Sequence, residues 1–337
     1  MLTIDGASGG GQVVRTAATF AALTGRSVAV TDVRGARDDP GLKRQHVAAL
    51  EAVAAACDAD LSGATVGSTR VAIDPGALVG GEASIAVGTA GSLTLVFDAV
   101  LPLAARLEAP YRVTVTGGTD VQWAPPFDYL RFVKLPLLRD AGLDATASLS
   151  RRGFYPSGGG EATLTVRPSA LAPVERTERG TLERVSVRSV ASEGLREVAV
   201  AERQAETAVE SIRETAVAPV VGDASYAESD SPGSVVTVAA DYASSRAGFS
   251  ALGARGKPSE RVAAEVVEAF ERFERGSAAV DGHLADQLLP FLALAEGAVV
   301  APERTAHLDA QVAVVDAFGY QVRVAETDDG TVRITVG

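Results

Sequence analysis

The sequence is poor in cysteine, histidine and aromatic residues. Its 337 residues include one cysteine, Cys57, three histidines and 5% aromatic residues. A single cysteine excludes an internal disulfide, so the expected location is the cytoplasm. With so few aromatic side chains, valine, alanine and leucine must build the core, as is typical of α/β or α+β proteins. No apolar run approaches the roughly 18 residues of a membrane-spanning helix, and the N-terminus does not resemble a signal peptide.

Lysine is also scarce, although the chain carries many charges. Only Lys43, Lys134 and Lys257 are lysines among the 31 basic residues, and the net charge is −12. Such an acidic chain is not expected to bind nucleic acid broadly and without specificity. An acidic composition with few lysines predicts adaptation to high salt. Clusters of arginine are therefore notable, because arginine makes bidentate contacts with phosphate.

Glycine-rich turns and predicted helices recur along the chain and indicate a weak internal repeat. The turns are found at residues 6–11, 86–92 and 155–160. Helices that begin at a proline or glycine are predicted over 40–56, 125–138 and 281–295. This pattern predicts a unit of strands and two helices that occurs about three times, and the chain closes with a predicted hairpin at Asp328–Gly330.

The character of the sequence changes between residues 180 and 275, where glycine-rich turns are mostly absent. Two predicted strands flank a charged helix, and a second helix places four apolar residues on one stripe. These residues are Val262, Val266, Phe270 and Phe273. We expect an inserted small α/β domain over 180–275, with residues 1–179 and 276–337 forming the larger domain.

His307 is a candidate nucleophile. Thr305 is a plausible N-cap, which would place His307 in the first turn of a helix, where the helix dipole disfavours an imidazolium ion. A histidine nucleophile needs a neutral imidazole. From spacing alone, however, a histidine that only fills the start of a helix is the simpler interpretation.

Several arginines and a glycine-rich loop are candidates for binding phosphate. Arg34 and Arg37 precede Pro40, and the helix that Pro40 is expected to begin carries three more polar residues, Arg44, Gln45 and His46. This cluster could be a phosphate cradle or a solvated turn with ion pairs to Asp38 and Asp39. His46 also aligns with Leu42 and Leu50, so a packing role is equally compatible with the pattern. Arg15 follows the glycine loop at 6–11, a weak signal because the loop is neither a Walker A nor a G-x-G-x-x-G motif.

Three further polar residues lie in apolar helices. Asp98 is the one carboxylate of its predicted helix, and burying it requires a counter-ion or a metal. A role in a site and an ion pair with arginine are both open. Asp286 and Gln287 come near the start of another apolar helix, where an N-cap is the simple interpretation for the aspartate.

Seven ordered blocks of the sequence resemble the RNA 3′-terminal phosphate cyclase family, and the resemblance covers essentially the whole chain. The blocks are IDGASGGGQVVR, RGARDDPGLKRQH, VGTAGSLTLV, VTGGTDVQWAPPFDY, RRGFYPSGGG, HLADQL and the segment around His307. The resemblance implies a large domain of three repeated α/β units related to enolpyruvyl transferases, with a small inserted α/β domain.

The resemblance also implies an ATP-dependent reaction in three steps. A histidine takes AMP from ATP and releases pyrophosphate, and the AMP then passes to the 3′-phosphate of RNA. The neighbouring 2′-hydroxyl attacks the activated phosphate, which releases AMP and leaves a 2′,3′-cyclic phosphate. ATP, Mg²⁺ or Mn²⁺, and an RNA with a 3′-phosphate end are the implied ligands.

The family pattern implies roles for individual residues. His307 matches the nucleophile, Asp286 an orienting partner, and Gln287 lies beside it in the nucleotide site. The phosphate-binding positions correspond to Arg15, Arg34 and Arg37, with Arg44, Gln45 and His46 in the adjoining helix. Pro125 and Tyr129 match positions that flank the adenine, and His283 matches an aromatic residue that stacks on its other face.

One departure from the family pattern affects the expected metal site. The family loop reads G-E-G-G-G-Q, whereas this chain has a shorter SGGGQ that lacks the glutamate. We expect Asp98 to replace that charge as a metal ligand. The alternatives are a non-catalytic, cyclase-like RNA assembly factor, which would lack the histidine, and an enolpyruvyl transferase, which would not explain the His307 segment.

Overall fold

The computed structural model describes residues 1–337. The chain begins with a unit of four strands and two helices in the order βαβαββ. The unit consists of β1 (Leu2–Asp5), α1 (Gly11–Thr24), β2 (Val28–Thr31), α2 (Arg44–Cys57), β3 (Asp60–Ser62) and β4 (Val71–Asp74). Its sheet has the order β1-β2-β4-β3, in which only β1 and β2 are parallel.

The sequence predicts that α2 begins at Pro40, and this prediction is wrong. The helix begins four residues later, at Arg44. Gly41 and Leu42 instead donate backbone hydrogen bonds to Val33 and Ser68, which ties this stretch to neighbouring loops. Gly41 also has a φ of 81°, a conformation that ends or precedes helices but does not occur within them.

The second unit repeats the topology of the first. Its elements are β5 (Gly81–Ala86), α3 (Thr94–Val100) with a 3₁₀ continuation (Leu101–Ala105), β6 (Tyr111–Gly117), α4 (Phe127–Tyr129), a π-helical turn (Leu130–Lys134), α5 (Leu135–Asp140), β7 (Ala145–Arg151) and β8 (Gly160–Val166). The sheet order is β5-β6-β8-β7, and again the first two strands are the parallel pair. The repeated pattern of the sequence therefore corresponds to a repeated structure.

The third unit is interrupted after its first strand by a separate sheet and two helices. The elements up to the end of the interruption are β9 (Val174–Arg176), β10 (Leu182–Ser192), a 3₁₀ helix (Glu193–Val198), α6 (Val200–Thr215), β11 (Val220–Ala227), β12 (Ser234–Tyr242), β13 (Arg246–Leu252) and α7 (Ser259–Arg275). The separate sheet has the order β11-β10-β12-β13, which differs from that of the units. Its helices cover their own hydrophobic core, which includes the predicted stripe of α7. These features support our proposal that residues 180–275 form an inserted domain.

The third unit resumes with two helices and three strands. They are α8 (Gly282–Ala295), β14 (Gly297–Ala301), α9 (Ala306–Ala317), β15 (Val322–Glu326) and β16 (Val332–Val336). The order β9-β14-β16-β15 reproduces the topology of the first two units. One hydrophobic core joins all three units, built mainly from valine, alanine and leucine. None of the helices combines the length and apolar character needed to cross a membrane.

Candidate active site

His307 lies in the first turn of α9, as the sequence predicts. Thr305 is the N-cap, and its Oγ1 accepts the Leu308 N–H at 3.0 Å. The imidazole is exposed and forms no hydrogen bond within the protein. Its side chain is therefore available to a ligand.

Partial burial and positive neighbours favour the neutral form of the His307 imidazole. The pKa of His307 is lowered first by partial burial and then by Arg37, Arg15 and His283. Because a lowered pKa favours the neutral form at and above neutral pH, a ring nitrogen keeps its lone pair. The structure thus brings together four residues that the sequence singled out.

The glycine-rich loop lies directly beside the start of α9. A Cβ added at Gly9 would lie 3.6 Å from the Cβ of Ala310, one turn after His307. Farther along, Gln311 Nε2 donates to Thr16 Oγ1 at 3.3 Å, which joins α9 to α1. Gly10 caps α1 without a side chain, and the Val13 N–H donates to the Gly10 carbonyl at 3.3 Å. The N–H groups of Gly11 and Gln12 therefore remain available for an anion.

His46, in the first turn of α2, is buried against this loop and is not exposed. It is 3% exposed, and its Nδ1 accepts the Lys43 N–H at 3.0 Å. Burial, followed by Arg15 and Arg34, lowers the pKa of His46 to about 3. The neutral ring therefore carries its proton on Nε2, which lies against Gly11, where an added Cβ would come within 1.9 Å. This burial favours the packing interpretation of His46, and its Nε2 atom faces the glycine-rich loop.

The three candidate phosphate-binding arginines differ in how far the protein uses them. Arg15 is partly buried and forms no hydrogen bond or ion pair, and burial lowers its pKa against the opposing effect of Asp98. Arg37 is exposed and equally unpaired. Arg34 instead donates from Nη1 to the carbonyls of Asp39 and Gly41 at 2.8 and 3.0 Å, so it braces its own loop. Arg15 and Arg37 are the two unpaired arginines whose charges lower the pKa of His307.

A chain of hydrogen bonds connects α2 to the second unit. Gln45 Oε1 accepts the Ser92 N–H at 3.3 Å, and Ser92 Oγ lies 2.8 Å from Thr94 Oγ1. Thr94 in turn donates to the carbonyl of Pro125 at 2.9 Å. This chain of hydrogen bonds thus connects Gln45 with Pro125, which is itself buried.

Tyr129 organises the start of α8 and does not offer a face to a nucleotide. Its side chain is fully buried, and its hydroxyl donates to Asp281 Oδ1 at 2.7 Å. Asp281 also accepts the N–H groups of His283 and Leu284, at 2.9 and 3.1 Å, as the N-cap of α8. The expected contact of Tyr129 with adenine is therefore not supported, because no surface of its ring is open. The exposed ring of His283, 5.8 Å from that of Tyr129, remains available for stacking.

Asp286 is not the N-cap of α8, since Asp281 has that role. Burial raises the pKa of Asp286 to about 7, although a hydrogen bond from the Thr305 hydroxyl lowers it. No hydrogen bond or ion pair joins Asp286 to His307, so any orienting effect passes through Thr305, the N-cap of α9. Gln287 forms no hydrogen bond in the protein, so its amide is free.

The raised pKa of Asp286 predicts a pH-dependent stability. Between the unfolded pKa near 4 and the folded pKa of about 7, the folded protein binds more protons than the unfolded chain, so stability falls as the pH rises. An Asp286→Asn variant lacks this titrating carboxyl group. We expect its stability relative to the parent protein to increase by on the order of a few kcal/mol from pH 4 to 7. Chemical unfolding across this range checks the prediction, which parallel profiles of the two proteins would contradict.

Asp98 forms an ion pair, but its partner is Lys134 and not an arginine. The Lys134 Nζ lies 2.6 Å from Asp98 Oδ1, and the lysine side chain is 1% exposed. Burial lowers the pKa of Lys134, and the carboxylate opposes this effect. The sequence held a signal for this residue, since Lys134 is one of three lysines and lies in an apolar helix.

The residues present do not fit a metal site built by the protein. The carboxylate of Asp98 is occupied by an ammonium group, and no group of three or more histidine, cysteine, aspartate or glutamate side chains is positioned to hold an ion. The expected role of Asp98 as a metal ligand therefore lacks structural support. Mg²⁺ often uses few protein ligands and is held largely by water and substrate phosphates.

Comparisons with known proteins agree with one another. A family model described as RNA 3′-terminal phosphate cyclase matches residues 7–324. A protein of that name from Halobacterium salinarum is 49% identical over 347 aligned positions, which cover 99% of this chain and 100% of the relative. Proteins of the same name from Ralstonia nicotianae and Methanopyrus kandleri are 40% and 38% identical, and each alignment covers 99% of this chain and 97% or 98% of the relative. An enolpyruvyl transferase structure, NikO from Streptomyces tendae, matches 52% of this chain and 32% of its own with 17% identity and a TM-score of 0.28, too low to bear on the fold.

Proposed function

Because the chain belongs to the RNA 3′-terminal phosphate cyclase family, we propose that it converts the 3′-phosphate end of an RNA into a 2′,3′-cyclic phosphodiester with ATP. We further propose that His307 carries the AMP between the two substrates. The observation that carries the proposal is the environment of His307, an exposed imidazole kept neutral beside two unpaired arginines. A non-catalytic assembly factor would need neither a neutral, exposed imidazole nor unpaired arginines at this position.

The first step of the proposed reaction is nucleophilic. A neutral nitrogen of His307 attacks the α-phosphorus of ATP, a P–N bond forms, and the bond to the pyrophosphate oxygen breaks. Arg15 and Arg37 can neutralise charge on the phosphates, and the free N–H groups of Gly11 and Gln12 at the start of α1 can donate hydrogen bonds to phosphate oxygens. Positioning and charge neutralisation supply most of the catalysis in such transfers.

Two transfers follow in the proposal. An oxygen of the RNA 3′-phosphate attacks the phosphorus of the histidine adduct, which restores free His307 and leaves an activated RNA end. The adjacent 2′-hydroxyl then attacks the phosphorus of the RNA 3′-phosphate and loses its proton to solvent, while the bond from that phosphorus to the oxygen shared with AMP breaks and AMP leaves. The exposed ring of His283 can stack on the adenine while these steps occur.

The proposed activity can be tested on RNA that ends in a 3′-phosphate. With ATP and Mg²⁺ at high salt, we expect the end to become resistant to phosphatase, with one AMP and one pyrophosphate formed per end. RNA with a 3′-hydroxyl is the control substrate and should not react. A folded protein that leaves the 3′-phosphate sensitive to phosphatase under these conditions would favour the assembly factor.

The pairing of Asp98 with Lys134 gives a separate prediction about the metal. We expect Asp98→Asn to lower the free energy of unfolding by about 3–5 kcal/mol, because it leaves a buried ammonium without its counter-ion. The Mg²⁺ concentration for half-maximal activity should stay the same, because Asp98 is not a ligand. Asp144→Asn, in an exposed ion pair with Arg167, is the matched control. A large shift of the Mg²⁺ midpoint in Asp98→Asn alone would restore Asp98 as a ligand.

A further inference from the structure

The protein exposes very few of its aromatic side chains. The chain has one tryptophan, six tyrosines and ten phenylalanines, and of these only Trp123 and Tyr155 are exposed. Trp123 is 93% exposed and Tyr155 is 66% exposed. Exposed aromatic rings are platforms on which nucleic-acid bases can stack.

The two exposed rings belong to neighbouring loops. A parallel β-bridge joins Asp120 to Phe154, so Trp123 follows one side of the bridge by three residues and Tyr155 follows the other by one. The bridge thus places both rings on loops at one end of the second unit. No other part of the chain has an exposed aromatic ring.

The same loops adjoin the hydrogen-bonded chain from Gln45 to Pro125, and Gln45 precedes His46, which contacts the glycine-rich loop. The carbonyl of Pro125, two residues after Trp123, accepts the Thr94 hydroxyl at 2.9 Å, in the chain of hydrogen bonds that leads to Gln45. The loop of Tyr155 packs on the 86–92 turn, because a Cβ added at Gly158 would lie 2.2 Å from the Thr89 carbonyl. Exposed Arg44 also reaches this turn, and its Nη1 would lie 3.1 Å from a Cβ at Gly88.

The backbone holds Trp123 in its exposed position. Its φ is 69°, a left-handed conformation that is uncommon for a bulky residue. Buried ion pairs fix the loop on both sides, since Arg152 binds Asp120 at 2.8 Å and Asp128 at 2.5 Å. An unfavourable conformation maintained by buried ion pairs is a feature of functional loops.

We propose that Trp123 and Tyr155 stack on unpaired bases close to the 3′ end of the RNA substrate, an inference that rests on the proposed function. Every base has an aromatic face, so stacking binds a single strand without requiring a particular sequence. Stacking also suits an acidic protein. With a net charge of −12, the chain repels RNA as a whole, and high salt weakens its few arginine–phosphate contacts. Stacking depends much less on salt.

The only tryptophan of the chain makes a direct test possible, since all tryptophan fluorescence comes from Trp123. The probe is a short single-stranded RNA with a 3′-phosphate, and its binding is measured independently by the anisotropy of a label at its 5′ end. We expect saturable quenching of Trp123 by this RNA and little quenching by ATP alone or by a matched strand that lacks bases. The proposal would be overturned if the strand without bases quenched Trp123 equally, or if ATP alone quenched it. It would also be overturned if the RNA bound without quenching Trp123, or if the RNA did not bind.

Variants extend the test to affinity. We expect Trp123→Ala and Tyr155→Ala each to weaken RNA binding about tenfold, with a similar loss at low and high salt, whereas Trp123→Phe keeps most of the affinity. Val217→Ala, at an exposed apolar residue of the inserted domain, is the control and should bind as the parent does. Unchanged affinity in both alanine variants at the two loops would also overturn the proposal.

The proposed function is checked separately in the parent protein. Labelling by ATP in the absence of RNA tests the nucleotidyl-transfer step without any base stacking. Labelling without RNA-dependent quenching would reject the stacking proposal and leave the function intact. Quenching by RNA in a protein that ATP does not label would reject the proposed function and leave the stacking of bases on Trp123 intact.

Discussion

Replacement of His307 by alanine is expected to stop the attachment of AMP to the protein and to lower the rate of RNA-end cyclisation by roughly 10⁴-fold or more. The side chain is exposed and forms no hydrogen bond, so little of the fold depends on it. We expect the free energy of unfolding to change by no more than about 0.5 kcal/mol. This separation of activity from stability follows from the position of His307 at an exposed first helical turn.

The measurement uses ATP labelled at the α-phosphate. The parent protein should retain the label in a form that is lost in acid, as expected for a P–N bond to imidazole, and the His307→Ala variant should retain none. His283→Ala is a matched contrast, because it removes another exposed histidine that lies close enough to affect the pKa of His307. That variant should need a higher ATP concentration for half-maximal labelling, but it should still be labelled at saturating ATP. Label retained by His307→Ala would place the nucleophile on another residue.

Local signals in the sequence predicted the part of the site around His307 well. A helix start is encoded by the N-cap and the residues of the first turn, all close in sequence, so Thr305 and His307 could be placed without a structure. The stripe of α7 and the closing hairpin are local in the same sense. The repeated units could also be recognised, because each repeats its glycine turns and helices at similar spacing.

The sequence did not predict strands β11 and β13, because they lack a local signal. Both lie at the edges of the inserted sheet, and β11 is mostly exposed, so neither shows the regular alternation that identifies a half-buried strand. Their positions are determined by pairing with the central strands β10 and β12. Such pairing is a property of the folded chain and leaves little trace in a single segment.

Polar partners that are distant in sequence were also out of reach. Asp98 and Lys134 are separated by 36 positions, and Tyr129 and Asp281 by 152. The sequence indicated that a buried Asp98 needs a counter-ion, but composition alone could not select a lysine. For Tyr129 the expectation followed the family pattern, whereas in the structure its hydroxyl is used to fix the N-cap of α8. In both cases the residue was recognised and its partner was not.

A large effect on stability is expected at Arg152. Its guanidinium is 8% exposed and binds both Asp120 and Asp128, whose side chains are 0% and 5% exposed. Although burial opposes the charged form, the two carboxylates raise the pKa of Arg152 above its ordinary value. Arg152→Met would leave two carboxylates buried without a counter-ion. We expect the free energy of unfolding to fall by about 3–5 kcal/mol.

Chemical unfolding of matched variants checks this expectation. Arg167→Met removes a similar side chain from an exposed pair with Asp144 and should cost no more than about 1 kcal/mol. Adding Asp120→Asn and Asp128→Asn to Arg152→Met should recover part of the lost stability, because the uncompensated charges are then gone. If Arg152→Met and Arg167→Met were equally stable, the buried cluster would not be what fixes the 119–128 loop. The exposed position of Trp123 would then need another cause.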